Sequence, residues 1–332
     1  MRIYKFFICA VMAFIVISAG NVTFAETSAN ALIAKIERDT YGEVREGAIL
    51  PRLNNLEKDY SGQNLQEDMN TRIEALSNIL YDNSATPGLL AKLNAVEWNL
   101  KHEVNSGGIE GRIYSLEEEM LGESSEGTFI SRIRDFVKAS FGREDIPMYE
   151  IQLPANTIIK VALVNSVGSR EAQVGDEVKV RVVEDVIVDG SLVFARGLYG
   201  TGTVEIVQRP NGWGSNGKLI INFHKLTGID GQEVETCVEY ESINLMTEKN
   251  MIDGAALVGL NLNSDWDKAM VHGKNVEVPA GTEFYIQTKS DTAVYALKGG
   301  RGSVTIKTSG SEENTADLFD EELGDDFYTK YE

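Results

Sequence analysis

Cys237 and, downstream of it, His272-Gly273 stand in the chain order of a Cys–His hydrolase. In that chemistry an imidazole takes the thiol proton and the thiolate attacks an acyl carbon. The cysteine of such an enzyme sits at a helix N-terminus, which lowers its pKa. The run Thr236-Cys237-Val238-Glu239-Tyr240 instead alternates as a strand does, and no second histidine or asparagine partner is evident. Cys237 therefore reads as a small buried hydrophobe, and a Cys–His peptidoglycan hydrolase ranks third among the readings of the chain. His102, His224 and His272 are the only histidines; they lie far apart without cysteine or carboxylate at ligand spacing, so no metal site is expected. Gly212-Trp213-Gly214-Ser215-Asn216-Gly217 matches G-x-G-x-x-G, but a dinucleotide site needs a strand before it and a helix after it. Lys218 to Phe223 reads as a strand, so these glycines belong to a hairpin loop, with Trp213 as a candidate contact residue. No catalytic, cofactor-binding or metal-binding residue is expected, and the chain reads as a non-enzyme.

The regular charges are cationic. Arg52, Arg72, Lys92, Arg112 and Arg132 recur at a step of 20 residues. Each is followed by an aliphatic residue (Leu53, Ile73, Leu93, Ile113, Ile133) and, three residues further on, by Leu56, Leu76, Val96, Leu116 or Phe136. Ile49, Met69, Leu89, Ile109 and Phe129 stand three residues before the basic position, and Tyr60, Leu80, Leu100 and Met120 eight after it, where Ser140 breaks the series. That spacing is one apolar stripe on a helix of about three turns. Gly62, Gly122 and Gly142 fall where a helix C-cap needs a positive φ, and Pro51 falls in a first turn, where its missing N–H costs nothing. Lys35-Ile36, with Leu32 before it, reads as a sixth, degenerate copy on a shorter step. A single helix of this kind cannot bury its stripe, so the copies must stack. The cations then have two uses. Their stems can lie along the stripe edge and pair with Glu57, Glu97 and Glu117 as exposed ion pairs worth about 0–1 kcal/mol each. Alternatively, the row tracks an anionic envelope polymer. In a third arrangement the helices assemble with other chains as a bundle or stalk, making a homo-oligomer.

Arg2 and Lys5, the apolar run from Phe6 to Ala19, and Thr23-Phe24-Ala25 compose a cleavable signal peptide. The expected location is the periplasm, the cell envelope or the exterior, with no integral membrane span after cleavage. Loss of residues 1–25 takes the formal charge from −20 to −22. Such a chain binds no nucleic acid by counterion release and repels anionic lipid. Only Cys237 remains, so no internal disulfide can form.

From Ile151 the period changes to two, as in Val178-Lys179-Val180-Arg181-Val182 and Thr203-Val204-Glu205-Ile206. Asp189-Gly190 and Asp230-Gly231 read as hairpin turns. Leu153-Pro154-Ala155-Asn156-Thr157 is echoed by Val278-Pro279-Ala280-Gly281-Thr282 and more loosely by Val193-Phe194-Ala195-Arg196-Gly197, each a turn feeding a strand. The run Pro154 to Val161, the stretch Val174-Gly175-Asp176-Glu177-Val178, and Val186 to Gly202 resemble a β-barrel domain found in many exported bacterial proteins. More distantly they are similar to the barrel of the outer-membrane core subunit of conjugation and type IV secretion machines. The resemblance covers residues 151–300 and implies a barrel. That secretion family carries an apolar helical insertion across the outer membrane. The nearest candidate here, Met251 to Leu260, is short and glycine-interrupted, and reads as a buried loop or contact site.

The expected fold is therefore α+β and multidomain, a short-helix repeat array followed by an all-β barrel or sandwich of eight to ten strands. Its parts are a signal peptide (1–25), helical repeats (26–142), a linker (143–150), the β domain (151–308) and an acidic disordered tail (309–332). The expected function is a structural or interaction module of the cell envelope. Its β domain binds a partner, an envelope protein or cell-wall polymer, and its helices act as a spacer or polymer contact. The runner-up is a subunit of an export or adhesion assembly.

Overall fold

A computed structural model describes residues 29–209, 218–249 and 277–299. The signal peptide, Trp213 with its glycine loop, residues 251–260, His272 and the acidic tail lie outside the described residues.

Among the described residues six helices come first: α1 (29–41), α2 (Ile49–Ser61), α3 (Met69–Tyr81), α4 (Leu89–Lys101), α5 (Ile109–Leu121) and α6 (Phe129–Phe141). The 20-residue step is thus 13 residues of helix and 7 of connection. The apolar stripe supplies the buried faces, among them Leu53, Leu56, Ile113, Leu116, Ile133 and Phe136. Gly62, Gly122 and Gly142 end their helices in the left-handed conformation, and His102 takes it at the end of α4. The first copy is in full step with the others. Leu32 holds the position that is basic elsewhere, while Lys35, from which a shorter step was read, pairs with Asp39 one turn on.

The helices form two layers of three. In the first layer the C-terminal ends lie together: Thr40 Oγ1 and Tyr60 OH are 2.7 Å apart, Tyr41 OH donates to Asp59 at 2.6 Å, and Tyr81 OH donates to Asp39 at 2.5 Å. α1, α2 and α3 are therefore parallel neighbours, and each connection between them must run back along the helix it leaves. A 13-residue helix rises about 20 Å, which seven extended residues just span. The second layer repeats the plan: Lys101 pairs with Glu119, and Asn99 donates to the Ser140 carbonyl at 3.1 Å. The α3–α4 connection does not run back. α4 begins on the end of α3, so that a Cβ on Gly88 would sit 2.5 Å from the Leu80 carbonyl oxygen. Gly108 at the head of α5 lies against Thr40 to Gly42 at the end of α1. Phe129 at the head of α6 packs edge-on against Tyr60 of α2, with ring centroids 5.3 Å apart. Three helix heads thus stand on three helix ends.

The described residues of the β region form twelve strands, more than the eight to ten expected: β1 (Met148–Leu153), β2 (Ile158–Leu163), β3 (Val167–Gly168), β4 (Glu177–Val182), β5 (Val186–Val188), β6 (Ser191–Phe194), β7 (Tyr199–Gln208), β8 (Lys218–Thr227), β9 (Glu233–Cys237), β10 (Glu277–Val278), β11 (Glu283–Thr288) and β12 (Thr292–Lys298). A closed barrel takes β11-β2-β4-β7-β8-β9, and a side sheet takes β1-β12-β6-β5. Val178, Val180 and Val182 alternate inward along β4, and Phe223 meets Phe284 across 4.9 Å. Gly200 and Gly202 leave room beside β8, since a Cβ on either would come within 2.6 Å of a β8 carbonyl oxygen.

One turn device is used four times. Asn156, Gly175, Gly197 and Gly281 have positive φ. Each donates its N–H to the neighbouring strand, and the next residue's carbonyl accepts an N–H back from that strand. Gly281 N–H bonds Leu163 O and Leu163 N–H bonds Thr282 O; Asn156 and Thr157 exchange the same pair with Thr288. The echoed segments seen in the sequence are these turns, feeding β2, β7 and β11.

Helices and barrel are docked. Asn94 Nδ2 donates to Ile229 O at 3.1 Å, Asn83 Nδ2 to Asp230 O at 3.0 Å, Trp98 Nε1 to Asp185 at 2.9 Å, and Val104 N–H to Arg196 O at 2.8 Å. Asp230 is buried there; burial pushes its carboxyl above the usual range, and the N–H groups of Tyr295 and Gln232 oppose the shift.

Candidate functional site: an inward ladder and a barrel arm

Four of the five ladder residues point into the array. Arg52 pairs with Glu37, Arg72 with Glu57, Arg112 with Glu97 and Arg132 with Glu117, always 15 residues back. In every rung the arginine Nε also donates to the same carboxylate, at 2.6–3.2 Å. The carboxylate side chains are at most 2% exposed and the guanidinium side chains at most 11%. The expectation of exposed pairs worth about 0–1 kcal/mol each is therefore corrected. The glutamate sits on one helix and the arginine on the first turn of the next, so each rung clamps two helices side by side.

The carboxylate also holds the returning connection. Glu37, Glu57 and Glu97 accept the N–H of Arg45, Leu65 and Asn105, each eight residues on. A second partner completes the guanidinium: Asn54 Oδ1 for Arg72, Asn94 Oδ1 for Arg112 (both 2.6 Å), and the Tyr114 ring face for Arg132. Hydrogen bonding to Glu37 and Glu57 raises the pKa of Arg52 and Arg72, so these groups stay charged at any relevant pH.

Lys92 has no such rung. Fifteen residues before it stands Ser77, at the end of the first layer, where the connection does not run back and no carboxylate is needed to hold it. Burial lowers the Lys92 ammonium pKa, with Asp145 acting against the shift.

Cys237 ends β9, and α7 (Tyr240–Glu248) follows. The alternation through Tyr240 thus breaks at Glu239, where Glu239 N–H donates to Ser242 Oγ and opens the helix. The thiol lies beside a helix start without gaining from it: burial first, then Glu239, pushes its pKa up to about 11. At neutral pH it is a thiol, the opposite of an activated nucleophile. His224 lies on β8 with Nε2 2.8 Å from Thr203 Oγ1, and His102 caps α4. Among the described residues no three of His, Cys, Asp and Glu are grouped to hold a metal ion. None of the described helices is long and apolar enough to cross a membrane.

The sequence reading did not find the arm. β4 pairs with β7 only over Tyr199–Thr203, and β9 with β8 only over Lys225–Thr227. Val204 still exchanges two backbone bonds with Gly175 and Asp176; beyond it, among the described residues, β7 and β8 pair with each other alone, from Ile206–Ile220 out to Gln208–Lys218. This two-stranded arm extends past the barrel registers with strand edges free of any described partner; Ile206 on it is 42% exposed, while Leu219 and Ile220 on the facing strand are buried. The one signal for it was length, ten residues in each strand against six or fewer elsewhere in the barrel.

No protein-family model and no curated protein matches the chain. Among solved structures it is similar to ComB10 of the Com type IV secretion system of Helicobacter pylori. The likeness has 15% identity and a TM-score of 0.25, over 42% of this chain and 88% of that one. A likeness of that size bears on neither activity nor partners.

Proposed function

We propose that the chain is a non-enzymatic contact module of the cell envelope, taking a protein partner on the β7–β8 arm. The arm carries this reading, because strand edges with no partner among the described residues, beside an exposed apolar side chain, are a template for pairing with another chain. The helical array braces the barrel. Four of its five ladder cations are spent on internal glutamates, which argues against an anionic wall polymer as the ligand. Membership of an export or adhesion assembly is compatible with such an arm. Export rests on the signal peptide read at residues 1–25, and the acidic balance favours partners with basic or neutral faces.

The test is retention of the purified chain on protease-treated peptidoglycan and on intact envelope protein fractions. Retention by the protein fraction is expected, lost in Ile206→Asp and weakly dependent on salt. Salt-sensitive retention on protein-free peptidoglycan would sink the reading.

A further inference from the structure

The stacking of the two helical layers leaves matching faces at the two ends of the array. Within the chain, the residue eight after the ladder position closes the top of each first-layer helix. Tyr60 and Leu80 at that position are 0% exposed because the heads of α6 and α4 stand on them. The same position in the second layer is Leu100 and Met120, 41% and 37% exposed, beside Leu121 at 59%. At the other end the relation is reversed. Ile109 and Phe129, three residues before the ladder position, are buried at 0% and 4% because they sit on first-layer ends. Their counterparts Ile49 and Met69 are only partly buried, and Leu50 beside Ile49 is 48% exposed.

We propose that these faces join between molecules, the C-terminal ends of the second layer in one copy receiving the helix heads of the first layer in a second copy. The occupant is argued from the chain itself, which already makes this contact once between its own layers. Helix heads carry positive partial charge and helix ends negative, so the stack aligns three dipoles head to tail. The faces differ, so the contact is heterologous and continues from copy to copy. Glu118 and Glu123 rim one face, where Lys101 already holds Glu119, and Glu46, Glu67 and Asp68 rim the other. This like-charge rim weakens the contact at low salt and is screened as ionic strength rises. The proposal stands independently of the arm and its partner.

The test is sedimentation velocity of the chain, expressed with its own leader, across concentration and salt. Growth in mean mass with concentration, stronger at high salt, is expected. Leu100→Glu/Met120→Glu blocks one face and Leu50→Glu the other. Each variant alone should stay monomeric with an unchanged melting curve, while an equal mixture should form a dimer and nothing larger. A wild type monomeric throughout, association that survives either variant, a closed dimer that grows no further, or a mixture of folded variants that stays monomeric would each overturn the proposal.

Discussion

Glu97→Ala is expected to lower stability by about 3–5 kcal/mol, the cost of stranding a buried charge. Glu97 is fully buried; it takes both the Nε and Nη2 of Arg112 and the N–H of Asn105. Alanine leaves the guanidinium with Asn94 Oδ1 alone, inside the second layer and one bond from the barrel through Ile229 O. Replacing both partners, Glu97→Leu with Arg112→Leu, should cost far less, because no charge remains to be desolvated. Glu177, in an exposed pair with Lys179, serves as the control, and Glu177→Ala should fall within about 0.5 kcal/mol of wild type. Urea denaturation midpoints decide the matter. A Glu97→Ala effect no larger than the control would show that the rung bears no stability.

Gly197→Ala is expected to cost about 3 kcal/mol through the seam between helices and barrel. Gly197 has φ +91°, where a side chain costs roughly 1–2 kcal/mol. The added Cβ would also collide with the Val104 carbonyl oxygen, and overpacking adds about 1–3 kcal/mol. Gly299 separates the two terms: it has φ +85° and open space around it, so Gly299→Ala carries the backbone cost alone. Thermal melts should show Gly197→Ala clearly below Gly299→Ala. Equal shifts would mean that the α4–α5 connection does not press on the barrel.

The repeat was legible because a stripe at fixed step and a glycine after each helix are both local demands. Glu57, Glu97 and Glu117 were legible as partners for the ladder cations by proximity in sequence. Their pairing with the next copy's arginine was not, since it depends on a connection that runs back along its helix. The same geometry hides in Ser77: a missing carboxylate looks like a degenerate copy until α4 is seen standing on α3. In the β region, the alternation was visible, and so were the turns that hold Asn156, Gly197 and Gly281, though not their positive φ. The resemblance implied a barrel, while the alternation alone left it open beside a sandwich, because the pairing of Gln287 with Cys237 that closes it joins residues far apart in the chain. The break at Glu239 was hidden because Val238 and Glu239 continue the alternation that the Ser242 hydroxyl ends.

That the ladder belongs to the fold is tested most directly by hydrogen exchange at the arginine side chains. In a nitrogen-15 NMR spectrum at neutral pH, the Nε–H groups of Arg52, Arg72, Arg112 and Arg132 should persist as slowly exchanging resonances, each assigned by its loss in the matching lysine variant. Fast exchange of all four, at the rate of a solvated guanidinium, would contradict the inward ladder and return these cations to the surface.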